Sequence, residues 1–163
     1  MATFVSIIFG VWVYKEERQT RREEAINWAW SILTTPATGN SGKRAALEYL
    51  AGQGVSLRGI DLSCARMGGG WDAKAMSCRA PVDLTGLRLR GPNGEGVDLR
   101  LSRLDGVDLT GADLEDAQMG GARLAGATRS GARLDGADLR AAALSLGKLR
   151  GADLAGAAAA PRS

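Results

Sequence analysis

From Val82 onward an apolar residue recurs at every fifth position. Leucine stands at Leu84, Leu89, Leu99, Leu104, Leu109, Leu114, Leu124, Leu134, Leu139, Leu144, Leu149 and Leu154. Two residues before most of these sits a small or β-branched residue, such as Val82, Val97, Ala112 or Ala137, and two residues after, glycine is usual. A period of five fits neither a helix (3.6) nor a strand (2.0), so residues 82–156 predict a solenoid of fifteen units. Val55, Ile60 and Ala65 pair with Leu57, Leu62 and Met67 in the same way, but Met67 lies seventeen residues before Leu84. Residues 68–81 therefore read as an insertion that leaves the coil and returns. Twenty-residue coils would stack Leu84, Leu104, Leu124 and Leu144 in one column, and both ends of the stack would need covering.

A different pattern precedes the repeats. Residues 2–14 are apolar and uncharged, and charges then continue at helical spacing to Thr34, with Glu17 and Arg21 an i,i+4 pair. Ile26, Trp30 and Leu33 line one face of this helix, and Pro36 ends it. Ser41 is expected to cap a short helix from Gly42 to about Ala51, closed by Gly52 or Gly54. The apolar face of the first helix, with Leu47 and Leu50, is expected to cover the N-terminal end of the coils. The chain thus divides into 1–34, an apolar segment and charged helix; 35–54, a turn and capping helix; and 55–159, the repeats with their insertion at 68–81.

The run Gly-Ala-Asp-Leu, at 111–114, 136–139 and 151–154, resembles the pentapeptide-repeat family, whose pattern is Ala-(Asp/Asn)-Leu-x-x. That resemblance implies an all-β solenoid, a right-handed quadrilateral β-helix with four pentapeptides per coil. Trp28-Ala29-Trp30, Gly39-Asn40-Ser41-Gly42-Lys43 and Ala46-Leu47-Glu48-Tyr49-Leu50 are similar to the juxtamembrane segment of membrane-bound bacterial members. Two positions break the pattern. Gly94, within Gly-Pro-Asn-Gly-Glu, replaces a core leucine and predicts a distorted turn. Arg129 falls where leucine is due, and because a lone buried guanidinium is costly, a bulge that turns it outward is expected, with ligand contact the alternative.

Composition narrows the chemistry. The 163 residues contain no histidine and only two cysteines, Cys64 and Cys78, which leaves no base–nucleophile constellation, no zinc ligand set and no implied cofactor. Residues 37–44 fall short of a phosphate loop, since Ala37 replaces its first glycine and Arg44 its Ser/Thr. The net charge of +3 resides in the first eighty residues, because 82–156 carries eleven acids against ten bases. Glu95, Glu115 and Asp135 are expected to form an acidic stripe, and Arg88 and Arg90 a basic one with Lys148 and Arg150. Some pentapeptide-repeat proteins mimic DNA and bind type II topoisomerases, which is the alternative function here. That mimicry depends on a sustained negative field, which the arginines interrupt, and no nucleic-acid partner is expected.

Three readings fit residues 2–14: part of a membrane helix whose remainder lies upstream of Met1, an interfacial helix, or an apolar terminus packed on protein. Trp12 and Tyr14 followed by Lys15, Arg18, Arg21 and Arg22 favour the first, although thirteen helical residues span only about 20 Å. The positive flank places the repeats in the cytoplasm, where Cys64 and Cys78 stay reduced; in the periplasm they are candidates for a disulfide. The expected function is a non-catalytic, membrane-anchored bacterial scaffold for an unidentified protein partner. Its candidate contacts are Trp71, Arg88, Arg90 and Arg150, and a homodimer through the C-terminal end is a further expectation.

Overall fold

Helix α1 (Ala2–Thr34) runs unbroken from the apolar segment through the charged one and stops two residues before Pro36, whose ring disfavours helix in the residue preceding it. The computed structural model describes residues 2–39 and 41–144. Helix α2 (Lys43–Gly52) follows. Ser41 is not its cap: Gly42 occupies that position at φ 79°, no side chain bonds the first amides, and Ser41 Oγ is buried without a partner among the described residues. The joint is made instead by Lys43. Its Nζ donates to the carbonyls of Ile32 and Thr35, both at 2.7 Å, and so closes the C-terminal end of α1 with a cation. Burial lowers the Lys43 pKa, and an ammonium held by helix carbonyls is not poised for a phosphate.

The coils follow the five-residue phase. In each unit the small residue and the leucine two positions later point inward, and the residue between them points out. Where that residue is aspartate, as at Asp61, Asp83, Asp98, Asp108, Asp113 and Asp138, its Oδ1 accepts the backbone N–H two residues on. Aspartate before leucine thus holds the corner that follows it.

Backbone pairing fixes the layers. Leu99, Leu104, Leu109 and Leu114 form the second coil, and their amides bond to carbonyls of the third at Gln118, Arg123, Thr128 and Arg133. Met119 and Leu124 bond onward to Asp138 and Ala143. Bridges at twenty-residue spacing, such as Asp98–Gln118–Asp138 and Arg103–Arg123–Ala143, run down the stack at about 4.8 Å per layer.

The first coil is assembled from separated pieces. Leu57 and Leu62 pair with the second coil through Asp98 and Arg103, and Leu84 and Leu89 through Asp108 and Asp113. Leu84 therefore stands over Leu109, not over Leu104 as the twenty-residue spacing suggested. The reason lies at residues 91–95. Gly-Pro-Asn-Gly-Glu offers nothing to bury, so it folds out as a single 3-10 turn (Pro92–Gly94), closed by the Gly91 amide on the Glu95 carbonyl. One whole unit is removed from the coil. The five-residue phase survives, but every residue before the loop moves to the neighbouring face.

Ala65 and Met67 do not continue the coil either. They lie in a single helical turn, α3 (Cys64–Met67), which opens a flap that ends at Val82. The flap carries a two-stranded hairpin, β1 (Trp71–Asp72) against β2 (Ser77–Cys78), and is tied to its own base by a Cys64–Cys78 disulfide with Cα atoms 5.9 Å apart.

One apolar core runs from the helices into the column. Ala29 and Leu33 of α1 and Ala46, Leu47, Leu50 and Ala51 of α2 are buried with Leu57, Leu62, Leu84 and Leu89. Ile26 and Trp30 pack against them. The helices therefore close the N-terminal end of the coils.

Candidate interaction surfaces

Of the four residues that the sequence placed in one contact set, Trp71, Arg88 and Arg90 are described, and Arg150 lies outside the described residues. Trp71 lies half-buried on the flap, against the corner made by Gly106 and Gly126. A Cβ on Gly106 would come within 3.0 Å of the Trp71 ring and of both cysteine Cβ atoms, so the flap fits only because this corner carries no side chain. Between flap and coil lies a cleft of about 270 Å³, lined by Ser63, Trp71, Met76, Arg103, Asp105 and Arg123 among others.

The charges of this cleft are internally matched. Arg103 pairs with Asp61 at 3.2 Å, and Arg123 with Asp105 at 3.2 Å. Asp105 is buried and also accepts the Ala125 amide, while Ser63 donates to Asp61 at 2.6 Å. Arg103, Asp105 and Arg123 are the cleft residues that sequence reasoning passed over. Their signal was available in the twenty-residue spacing of two arginines on one outward position.

Arg88 and Arg90 flank Leu89, on another face. Because of the loop at 91–95 they stand over Asp113 and Glu115; Lys148 and Arg150, the other members of the expected basic stripe, lie outside the described residues. The Arg88 amide donates to Glu48 of α2. Arg90 donates to Asp113 at 3.4 Å and, at close range, to Glu115. Arg133 joins Asp113, Glu115 and Asp135 from the next coil, at 3.5, 2.8 and 3.5 Å. The expected acidic stripe is corrected in the same way: Glu95 is in the loop, and the remaining two acids are bridged by arginine.

Aspartates elsewhere are neutralised in place. The Arg100 guanidinium holds the Asp98 carboxyl well below the usual range, and Arg140 holds Asp138 down to about 2. No group of metal-ligating side chains is found among the described residues. Nor is any helix among them long and apolar enough to cross a membrane.

Arg129 does not swing outward. Its amide and carbonyl neighbours keep the regular pattern, with the Ala132 amide on the Arg129 carbonyl, and no bulge opens. The side chain enters the column and is buried to 1 % exposure. The coil above binds the backbone on both sides of Arg129, at Thr128 and Ser130, so bulging would break that pairing, and the guanidinium goes inside instead.

With this geometry in place, comparison with known proteins is direct. The family model described as pentapeptide repeats matches residues 82–116, 102–140 and 117–156, with eight copies. Residues 82–156 of this chain therefore match the model of that repeat, and the match stops short of half the chain. The stacked four-unit coils are the structural form of that repeat here, and the flap and helices lie ahead of the matched residues. A search of curated proteins finds no match. Among solved structures, the pentapeptide repeat protein Rfr23 from the cyanobacterium Cyanothece 51142 is 23 % identical over 64 % of this chain and 84 % of its own, at a TM-score of 0.27.

Proposed function

We propose that the pentapeptide-repeat domain is a non-catalytic scaffold that presents a rigid surface to another protein, with the flap around Trp71 as its contact region. The observation that supports this is the contrast in charge and shape along the column. On the regular faces Arg90, Arg100, Arg103, Arg123, Arg133 and Arg140 are each paired with an acid. The flap instead places a half-exposed tryptophan beside a cleft and carries Arg66, Lys74 and Arg79, which have no ion-pair partner among the described residues. An aromatic anchor ringed by charge is what binding hot spots favour. Arg88 remains a secondary contact, since its side chain is exposed, while Arg90 is occupied by Asp113 and Glu115. The DNA-mimic alternative loses ground because the arginines that bridge or pair Glu115, Asp135, Asp98 and Asp138 cancel the field it needs.

Two further parts belong to the proposal. The start of α1 associates with a membrane surface, supported by the exposed Val11, Trp12, Val13 and Tyr14 ahead of the cationic residues. The repeat domain lies in an oxidising compartment, supported by the Cys64–Cys78 bond, which reverses the cytoplasmic placement read from the positive flank. One set of measurements on intact cells tests all three. A photo-crosslinking residue in place of the exposed Lys74 on the flap should trap a discrete partner that the same residue in place of Ser130 does not, and adding Trp71→Ala should abolish its recovery. A membrane-impermeant maleimide should label the cysteines only after reduction, and the chain should sediment with membranes. Equal crosslinking at both positions refutes the flap as contact; labelling without reduction refutes the compartment; a fully soluble chain refutes the membrane association.

A further inference from the structure

One side of the column carries a basic strip with an apolar group at each edge. Backbone bridges run Asp61–Arg103–Arg123–Ala143 along it, whereas the next side carries Asp83, Asp108 and Thr128. The Arg103 and Arg123 side chains are 47 % and 56 % exposed, and each meets a single acid. A guanidinium has several N–H donors, and Arg133 on another side meets three carboxylates at once. Arg103 and Arg123 can therefore each take a further carboxylate from outside. The surroundings favour one, since residues 57–80 with Arg103, Asp105 and Arg123 hold six bases against three acids. Leu101 stands at one edge of the strip, 54 % exposed and at φ 60°, a conformation strained for any residue with a Cβ. Its corner is glycine in the layers above and below, at Gly59 and Gly121, so the fold does not require a leucine there. At the other edge the Trp71 ring packs on Gly106 and Gly126.

We propose that this side of the column, from Leu101 across Arg103 and Arg123 to Trp71, binds an extended acidic segment of the partner protein. The proposal rests on the flap being the contact region and names the chemistry it contacts. Carboxylates of the segment accept the outward N–H groups of the two arginines, and apolar side chains at its ends cover Leu101 and the exposed part of Trp71. Charge-assisted hydrogen bonds then set the register, and the two apolar ends supply the desolvated anchors. Nucleic acid fits the strip less well, since Asp61 and Asp105 stand beside the arginines where phosphates would run.

The test is fluorescence anisotropy of labelled peptides on the full chain. Leu-Glu-Glu-Glu-Leu should bind about tenfold tighter than Leu-Gln-Gln-Gln-Leu, and the difference should shrink as salt screens it. Arg103→Gln combined with Arg123→Gln should remove the difference, while Arg133→Gln on another side should keep it. That double variant strips buried Asp105 of its arginine, so Leu101→Gly serves as a second probe. It relieves the positive φ, should not lower the melting temperature, and should weaken the acidic peptide several-fold. Equal binding of the two peptides, a preference that survives the loss of both arginines, or tighter binding of a single-stranded oligonucleotide overturns the acidic segment. Failure of the flap reading is read separately, by the crosslink at Lys74. A partner still trapped there while the peptides bind equally leaves the flap as the contact and refutes only the acidic chemistry.

Discussion

The first coil and the coils below it obey the same five-residue phase but are held in different ways. Coils two and three are continuous in sequence, and each leucine finds its neighbour twenty residues on. The first coil is built from 57–62 and 84–89, with the flap interposed, and Gly39 completes its edge by pairing with Val82. It also has a coil on one side only; on the other it meets α2. In a stack where stability is a sum of neighbour contacts, the end layer depends on its cap. Local sequence repetition therefore makes the middle of this domain, whereas tertiary packing makes its beginning.

The largest effect should come from removing that cap. Leu47 is buried at the centre of the helix–coil contact and lines one small cavity with Ile60, Leu62, Leu84 and Leu89. Leu47→Ala should cost about 2–5 kcal/mol. Leu47→Asp should abolish cooperative folding of the first coil. Hydrogen exchange distinguishes the regions: amides of Leu57, Leu62, Leu84 and Leu89 should lose protection before those of Leu109 and Leu114. Trp30→Asp should act in the same direction but less, since Trp30 is only half-buried. Uniform loss of protection along the whole column contradicts the contrast between end and middle.

This contrast also explains what was legible in the sequence. The phase of the leucines, the helix ending before Pro36 and the cap formed by Leu33, Leu47 and Leu50 are local patterns of apolar spacing, and they were readable. Which face a leucine occupies was not, because the loop at 91–95 removes a complete unit and leaves the phase unaltered. Reading Pro92, Asn93, Gly94 and Glu95 as a unit with nothing to bury would have revealed the shift. The acidic stripe failed with it, since Glu95 lies in the loop and Arg90 stands over Glu115. Ser41 misled because the strongest available partner at that joint was a lysine eleven residues from Ile32, which no capping pattern describes. Arg129 misled for a different reason: the cost of burying it favours a bulge, but a bulge breaks the pairing of Thr128 and Ser130 with the coil above.

An intermediate effect should separate the flap-covered corners from the open ones. Gly126 and Gly131 share φ +66°, so alanine at either is strained by about 1 kcal/mol or somewhat more. Their surroundings differ. A Cβ at Gly131 meets nothing within 4 Å, whereas at Gly126 it would lie 2.2 Å from the Met76 carbonyl oxygen and 3.1 Å from the Trp71 ring. Gly126→Ala should therefore destabilise more than Gly131→Ala and should alone lift the flap, seen as a red shift and increased quenching of Trp71 fluorescence in a chain with its other tryptophans replaced. Identical changes from the two substitutions mean that the flap does not pack on this corner.

The smallest effect concerns the ions on the regular faces, and its sign follows from the aspartates. Asp83, Asp98 and Asp138 are held below their ordinary pKa, Asp138 at about 2 by its hydrogen bonds from Arg140. A carboxyl with a depressed folded-state pKa binds fewer protons folded than unfolded. Its contribution is thus complete above the unfolded value, near 4, and is lost as pH falls toward 2. Melting temperature should be flat from pH 7 to 5 and decline below 4. Asp138 and Arg140 are solvent-exposed partners, so Asp138→Asn should leave the neutral-pH midpoint almost unchanged and flatten only part of the acid decline. The same substitution at Asp98 removes the charge and the Oδ2 acceptor shared by Ser56 and Arg100 Nη2, while the remaining oxygen can still accept the Arg100 amide, and Ser56 adjoins Leu57 of the first coil. Asp98→Asn should therefore flatten the decline more and, unlike Asp138→Asn, loosen the first coil at neutral pH. Were the two variants indistinguishable by hydrogen exchange at Leu57, the first coil would owe nothing to this ion and would rest on its helical cap alone.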